Sequence, residues 1–369
     1  MSGVSFKGQV ERPSLWLRQT NLATSFSGIH KALKNKASTN RIIIGADEAG
    51  YGPNLGPLLI VATAWEIPEE MGTDAFSAAI QPVFRMKPWL LGCDHIPLGD
   101  SKQLFQPSSG LASIEAGLLT MLLQIDAPRT LICPTNLQDF RQFVIWQKQP
   151  QTNQSKRDTI APWYEQLEKW PVPSVVPPTE ILRLAELART ALQSNSIQLL
   201  AVRAAIVSES EFNESVSLSG SKGQLLSATT LELVSSFCID EPRSVEVFCD
   251  RQGGRKNYLP ILLDALPNEW FAELLQSKTR VSYRNTRSPR RDFHFTVGGD
   301  SFGPTALASM LAKYLRERLM QSFNAFWQQH VPNLRPTAGY PLDAKRFREA
   351  VETTALALQL PEKVWWRSR

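Results

Sequence analysis

Cysteine and histidine are both scarce in this sequence. Four cysteines, Cys93, Cys133, Cys238 and Cys249, are scattered over 369 residues, and no two form a C-x-x-C pair. That spacing excludes a disulfide framework and a structural zinc site of the usual kind. Three of the four stand in apolar runs, so buried free thiols and a reducing, cytoplasmic setting are expected. The four histidines, His30, His95, His294 and His330, show no ligand spacing either. His294, in "DFHFTV", reads as an ordinary strand residue. No apolar run approaches the roughly 20 residues of a membrane-spanning helix, and the N-terminus has no signal-like apolar core. No membrane partner is expected. Internal repeats and low-complexity blocks are absent.

The remainder is an ordinary globular composition. Apolar residues make up 43% and charged residues 20% of the chain, which argues against wholesale disorder. Forty Lys and Arg against 35 Asp and Glu leave a net charge of +5, a mild basic bias compatible with a polyanionic partner. Residues 1–40 are polar and read as a loose extension. Strand-like runs at 41–47, 56–67, 129–135, 199–208, 244–250 and around the basic turn of 278–300 alternate with helical patterns. The helical patterns fall at 109–123, after a Thr179 cap, at 224–238, at 303–327 and after "GYPLD". Residues 147–178 are polar and Pro-rich with three aromatic anchors, and read as a surface insertion. The expected fold is α/β: a mixed central sheet flanked by helices over 41–330, with a C-terminal helical portion at 331–369.

The most informative stretch is "IIIGADEAGYGPNLGPLLIVATAW", Ile42 to Trp65. Its glycines superficially match a dinucleotide-binding fingerprint. That motif, however, needs a helix opening on the glycines, because the helix N-terminus holds the pyrophosphate. Here prolines and a β-branched run follow, which read as a turn and a strand. Asp47 and Glu48 would also repel a phosphate unless a cation intervened. A metal site is the better reading. Three strand ends carry acids: "IIIGAD-E", "EVFC-D" at Asp250 and "TVGG-D" at Asp300. Carboxylates are the hard oxygen ligands that Mg2+ and Mn2+ prefer, and a divalent ion relieves their mutual repulsion. Taken singly, an acid at a strand end is more often simply solvated; three alike make coincidence less favoured. For Asp47 and Glu48 to share a site, the backbone is expected to leave regular strand geometry, with Gly45 and Gly50 allowing it.

These motifs together resemble the type 2 ribonuclease H family. The family's acidic pair in a Gly- and Pro-rich loop is matched by "GADEAGYGPNLGP". Its DSK-x-L segment is matched by Asp100, Ser101, Lys102, Gln103 and Leu104. The third acid matches Asp250 in "VFCDRQGG". The fourth matches Asp300 in "GGDSFGPTALASMLAKYLRERLM". A late "GYGT" is resembled by Gly339-Tyr340-Pro341-Leu342, and the basic ending by "VWWRSR". The motifs occur in family order and span residues 41–369.

The resemblance implies an RNase H-like fold acting as a monomer. Asp47, Glu48, Asp250 and Asp300 would bind two divalent ions, Mg2+ or Mn2+. The reaction would be hydrolysis of RNA in an RNA–DNA hybrid, or at ribonucleotides embedded in DNA, leaving 5′-phosphate and 3′-hydroxyl ends. Gly50, Tyr51 and Gly52 would meet the 2′-hydroxyl, Lys102 a phosphate and Tyr340 the ribonucleotide–DNA junction. Two departures bear on specificity. Tyr51 stands where the family has Arg or Lys, and "GYPL" replaces "GYGT". Altered substrate choice and a non-catalytic hybrid-binding role therefore stay open as alternatives.

Between Asp250 and Asp300, "SKTRVSYRNTRSPRR" carries Lys278, Arg280, Arg284, Arg287, Arg290 and Arg291. Strand alternation puts Arg280 and Arg284 on one face and Tyr283 on the other. The segment reads equally as a nucleic-acid contact or as a solvated basic turn.

Overall fold

The computed structural model describes residues 40–105, 110–125, 132–148, 161–165, 167 and 170–368. Expectations placed on residues 1–39 and 149–160 lie outside them. A hairpin opens the described chain: β1 (Asn40–Ala49) pairs antiparallel with β2 (Leu58–Pro68) in unbroken register from Asn40↔Pro68 to Ala49↔Leu59. Its apolar residues alternate between two cores. Ile43, Leu59, Val61 and Trp65 enter one; Ile42, Ile44, Ala46 and Ile60 enter the other. This is the pattern of a strand covered on both faces.

Among the described residues, eight strands form the main sheet, in the order β5-β6-β2-β1-β7-β10-β9-β8. The others are β5 (Ile145–Lys148), β6 (Gln198–Val207), β7 (Val245–Asp250), β8 (Phe271–Gln276), β9 (Arg280–Asn285) and β10 (Arg291–Thr296), while β3 (Phe84–Arg85) and β4 (Ile96–Pro97) form a separate two-stranded ladder. β1, β7 and β10 run parallel; β2, β6, β9 and β8 join by antiparallel pairing. The sheet is therefore mixed, as expected, and the C-terminal ends of its three central parallel strands emerge together.

The helices in chain order are α1 (Thr73–Ile80), α2 (Ser101–Leu104), α3 (Ala112–Leu122), α4 (Leu137–Phe140), α5 (Pro178–Ser194), α6 (Glu209–Ser219), α7 (Lys222–Cys238), α8 (Leu259–Ala265), α9 (Gly303–His330), α10 (Pro341–Ala357) and α11 (Glu362–Trp365). α9 covers β1 and β2 on one face through Leu307, Met310, Leu311 and Tyr314. α7 covers the other face through Leu226, Leu233 and Val234. α10 packs Phe347 on Phe323 of α9, with ring centres 5.5 Å apart, and α11 places Trp365 against Trp327 at 5.9 Å.

Several local expectations are revised. Residues 132–135 of the expected 129–135 strand are not strand, and 129–131 lie outside the described residues. α5 begins at Pro178, with Pro177 at the cap, so Thr179 sits inside its first turn; proline's missing N–H costs nothing there. Of the 147–178 segment, Trp163, Tyr164, Val172 and Val176 are buried in the core rather than lying on the surface. Trp163 meets Phe323 of α9 at 5.0 Å, nearly edge-on.

The β1–α9 contact is unusually close. A Cβ at Gly45 would lie 2.2 Å from the Pro304 carbonyl carbon and 2.3 Å from the Thr305 nitrogen. The neighbouring Thr63 hydroxyl donates to the Pro304 carbonyl at 2.8 Å. Because the obstacle is backbone, Gly45→Ala forces α9 away from the sheet. It is expected to destabilise the fold by about 1–3 kcal/mol or more, read as a lowered midpoint in thermal or denaturant unfolding.

Candidate active site

Asp47 and Glu48 belong to the last turn of the β1 ladder, and the pairing continues past them to Ala49. The expected departure from strand geometry does not occur. Gly45 serves the close α9 contact instead, and the chain turns only at Gly50, where φ is +89°. Asp47 therefore faces the α9 side and Glu48 the α7 side, at the very end of the strand. The Asp47 carboxylate accepts the Glu48 backbone N–H at 2.8 Å.

Asp250 ends the neighbouring parallel strand. The β1–β7 pairing reaches Ala46↔Cys249, so Asp47 and Asp250 follow as neighbours about 5 Å apart across the strands. Asp250 in turn accepts the N–H groups of Gly298 and Gly299, at 3.0 and 3.2 Å. This folds the turn after β10 onto the end of β7. Gly298 has φ +70°, which suits a residue without a side chain. The Asp300 backbone lies in the short turn Gly299–Ser301 that follows. The expected contribution of its side chain lies outside the described residues.

The electrostatics show that three of the acids act on one another. Burial, then the charge of Asp47, then that of Asp250 push the Glu48 carboxyl up to about 8; Lys102 pulls it back. Lys102 stands in α2, and its segment divides its labour clearly. Asp100 caps the helix by accepting the Lys102 N–H at 2.8 Å. Ser101 is buried and shares a 3.0 Å hydrogen bond with Ser309 of α9. Leu104 enters the core, while Lys102 and Gln103 are exposed, Gln103 donating to Asp100 and Lys102 acting on Glu48.

The glycine loop is held from beneath by residues far along the chain. The buried Arg367 guanidinium donates to the carbonyls of Gly50, at 2.6 Å, and of Pro53. Asn54 and Leu55 donate to the Gly339 carbonyl. Arg316 of α9 donates to Ala338, at 2.9 Å, and its guanidinium lies 5.9 Å from the centre of the Tyr340 ring. Tyr340 is thereby fixed beside the loop, largely exposed, with Pro341 as the first residue of α10. A Cβ at Gly52 would meet nothing within 4 Å, so this exposed position is open to an approaching ligand.

The basic hairpin is only partly available. Arg280 and Arg284 share a face as expected, with Tyr283 buried on the other. The Arg284 guanidinium is held by both oxygens of Asp292, at 2.6 and 2.8 Å. Arg290 also approaches Asp292, and Arg291 is buried against Glu269. Arg280 donates to Ser282 at 3.2 Å.

Among the described residues, Glu246, Asp292 and His294 have ligand atoms within 4.8 Å of one another; those of Asp47, Glu48 and Asp250 are spread more widely. The tighter group is already neutralised. Arg41 pairs with Glu246, and Arg284 and Arg290 pair with Asp292. Burial alone would raise the Glu246 carboxyl, but hydrogen bonds from His294 and Arg41 outweigh it and hold the group at about 2.

No protein-family model matches the sequence, and comparison with curated proteins finds no match. Solved structures with a related arrangement include RNase HII of Archaeoglobus fulgidus, determined as a complex with PCNA. It is 13% identical, with 89% of this chain and 94% of that one covered and a TM-score of 0.36. Ribonuclease H2 of Pyrococcus horikoshii OT3 is 12% identical over 88% and 92%, with a TM-score of 0.39. Bst-RNase HIII, solved with Mn2+, is 13% identical over 89% and 66%, with a TM-score of 0.35. The likeness is weak, and the site is read from this chain's own residues.

Beneath the loop lies a group that sequence reading missed. Glu209, at the start of α6, is fully buried and accepts the Tyr164 hydroxyl at 3.1 Å. Burial pushes its carboxyl up to about 7, against the pull of its own backbone, Arg367 and Tyr164. The Ser208-x-x-Glu211 capping box marks the start of α6 in the sequence, and so the place of Glu209 in its first turn, but not its burial. Between about pH 4.5 and 7 the folded chain keeps a proton here that the unfolded chain has lost, so stability falls as pH rises through that window. Glu209→Gln is expected to shallow that decline, measured by denaturant unfolding at pH 5, 6 and 7.5.

Proposed function

We propose that this chain is a divalent-metal-dependent endonuclease of the ribonuclease H type. Its substrate would be the RNA strand of RNA–DNA hybrids, or ribonucleotides embedded in DNA. The observation that carries the reading is the joint placement of Asp47, Glu48 and Asp250 at the ends of two adjacent parallel strands, with Lys102 beside them. The order of motifs along the chain supports it.

The donor set fits divalent metal. All the groups are carboxylates, the ligands of hard cations, and Glu48 is held far above its ordinary range by burial and then by its acidic neighbours. Carboxylates serving two ions about 4 Å apart have no need to converge on one point. Asp47, Glu48, Asp250 and Asp300 would hold the ions. When bound, these supply the Lewis acidity that activates a water and neutralises the leaving oxygen.

The chain's own part is positioning. Lys102 meets a phosphate of the substrate backbone as a compact point charge. The open surface at Gly52 lets the loop backbone come close to a sugar, where a 2′-hydroxyl distinguishes RNA from DNA. Tyr340, largely exposed, stands beside the same surface. Hydrolysis breaks the bond from phosphorus to the 3′-oxygen, leaving a 3′-hydroxyl and a 5′-phosphate. Tyr51, which replaces a cation in this loop, favours a second reading in which ribonucleotide preference is relaxed.

Asp47→Asn is expected to lower cleavage of a labelled hybrid at least about a hundredfold with an unchanged unfolding midpoint, and excess EDTA should abolish the activity. Full cleavage in EDTA would refute the proposal. A hybrid, a duplex with one ribonucleotide and plain DNA, tested side by side, separate the two readings. Equal cutting of plain DNA would leave a nuclease without ribonucleotide preference.

A further inference from the structure

Lys102 approaches the acids from the α9 side of the sheet. A second cationic arrangement stands on the α7 side. Lys222, the first residue of α7, holds its ammonium 4.6 Å from the centre of the Tyr51 ring. The Tyr51 hydroxyl lies over the same turn, 3.6 Å from where a Cβ on Gly223 would be. The ring thus bridges the glycine loop and the start of α7. Arg255, five residues beyond Asp250, reaches this turn as well, with Nη2 3.3 Å from Gln224 Oε1. Lys222, Tyr51 and Arg255 are all partly exposed.

The charge pattern of α7 is unusual in one respect. Its first turn opens on a lysine and carries no acid, although the partial positive charge of a helix N-terminus disfavours a cation and favours an anion. Ser221 fixes the start of the helix by accepting the Gln224 N–H at 3.1 Å. A lysine at this place is costly for the isolated helix and well placed for an anion in front of it. The acids at the ends of β1 and β7 repel a polyanion, so a strand of nucleic acid lying across them needs cations on both flanks.

We propose that Lys222, set on the Tyr51 ring and backed by Arg255, holds a backbone phosphate of the bound nucleic acid on the α7 side of the acids. This rests on the nucleic-acid reading given above. Lys222 is then a substrate-positioning residue, and Tyr51 is the shelf that sets the height of its ammonium. Lys102 and Lys222 take phosphates on opposite flanks of the same carboxylates. Tyr51 and Lys222 are 171 positions apart, which is why the cation is invisible from the loop sequence alone.

The test is binding of a fluorescent RNA–DNA hybrid to the Asp47→Asn chain, with and without Lys222→Ala, over a series of salt concentrations. Lys222→Ala is expected to weaken binding about fivefold to tenfold near 0.1 M salt. It should also reduce the slope of log affinity against log salt by about 0.7–0.9, one phosphate contact. Lys222→Arg should keep the slope, and Tyr51→Lys added to Lys222→Ala should restore it. Unchanged affinity and slope in Lys222→Ala, beside a parent that binds, would overturn this proposal alone. So would weaker binding with the parental slope and a lowered unfolding midpoint, which marks a structural clamp. A parent that binds no duplex would overturn the nuclease reading and this one with it.

Discussion

The first turn of α9 rests on the backbone of β1 at Gly45, and the rest of the site depends on that contact. Two residues further along β1 comes Asp47; three residues before α9 comes Asp300. Pressing helix against strand with no intervening side chain brings the turn after β10 to the ends of β1 and β7. There Asp250 receives the Gly298 and Gly299 N–H groups. The same helix carries Ser309, which anchors the Lys102 segment, and Arg316, which lies beneath the glycine loop. One close approach thus sets the position of several groups at once. Packed interiors transmit such displacements because they hold few voids to absorb them.

The loop between β1 and β2 has a different kind of support. Its inner carbonyls are taken by Arg367, and its neighbours Asn54 and Leu55 are tied to Gly339. These partners lie more than 280 positions away in sequence. The outer side at Gly52 is left open. A loop rigid on its inner side and bare at Gly52 on its outer side can approach a substrate backbone without first having to be ordered, which lowers the cost of binding. Arg367 thereby gives the basic ending "VWWRSR" a definite physical role, as the staple of the loop.

Much of this was legible in the sequence because it is local. Short β-branched apolar runs in "RIIIGAD" and "GPLLIVATAWEI" pointed to β1 and β2, and the turn residues between them suit a hairpin. The acids at strand ends were visible as acids at the ends of apolar runs. What could not be read was what depends on the opposite side of the fold. Gly45 read as a backbone release, whereas it is a packing contact with Pro304. Trp163 lies in a polar, Pro-rich stretch, and its burial follows only from the aromatic residues waiting on α9. Arg291 read as part of a basic patch, but Glu269, in the connection leading into β8, lies against it and neutralises it. Composition records a charge; only the fold shows whether that charge is already spent.

That distinction decides between the two carboxylate groups of the sheet. Glu246, Asp292 and His294 are the tighter cluster, and by proximity alone would be the better metal site. Yet each of its acids already has an arginine, and Glu246 is held at about 2. Inserting a divalent ion would mean displacing guanidinium groups, and the buried Arg41 would lose its carboxylate partner, a cost on the order of several kcal/mol. At Asp47, Glu48 and Asp250 the balance is reversed. Burial and the charges of Asp47 and Asp250 push Glu48 up to about 8, and Lys102 offsets only part of that. A cation arriving there relieves an existing strain. The looser group is therefore the one with something to gain from metal, and the tighter one is a structural ion-pair network.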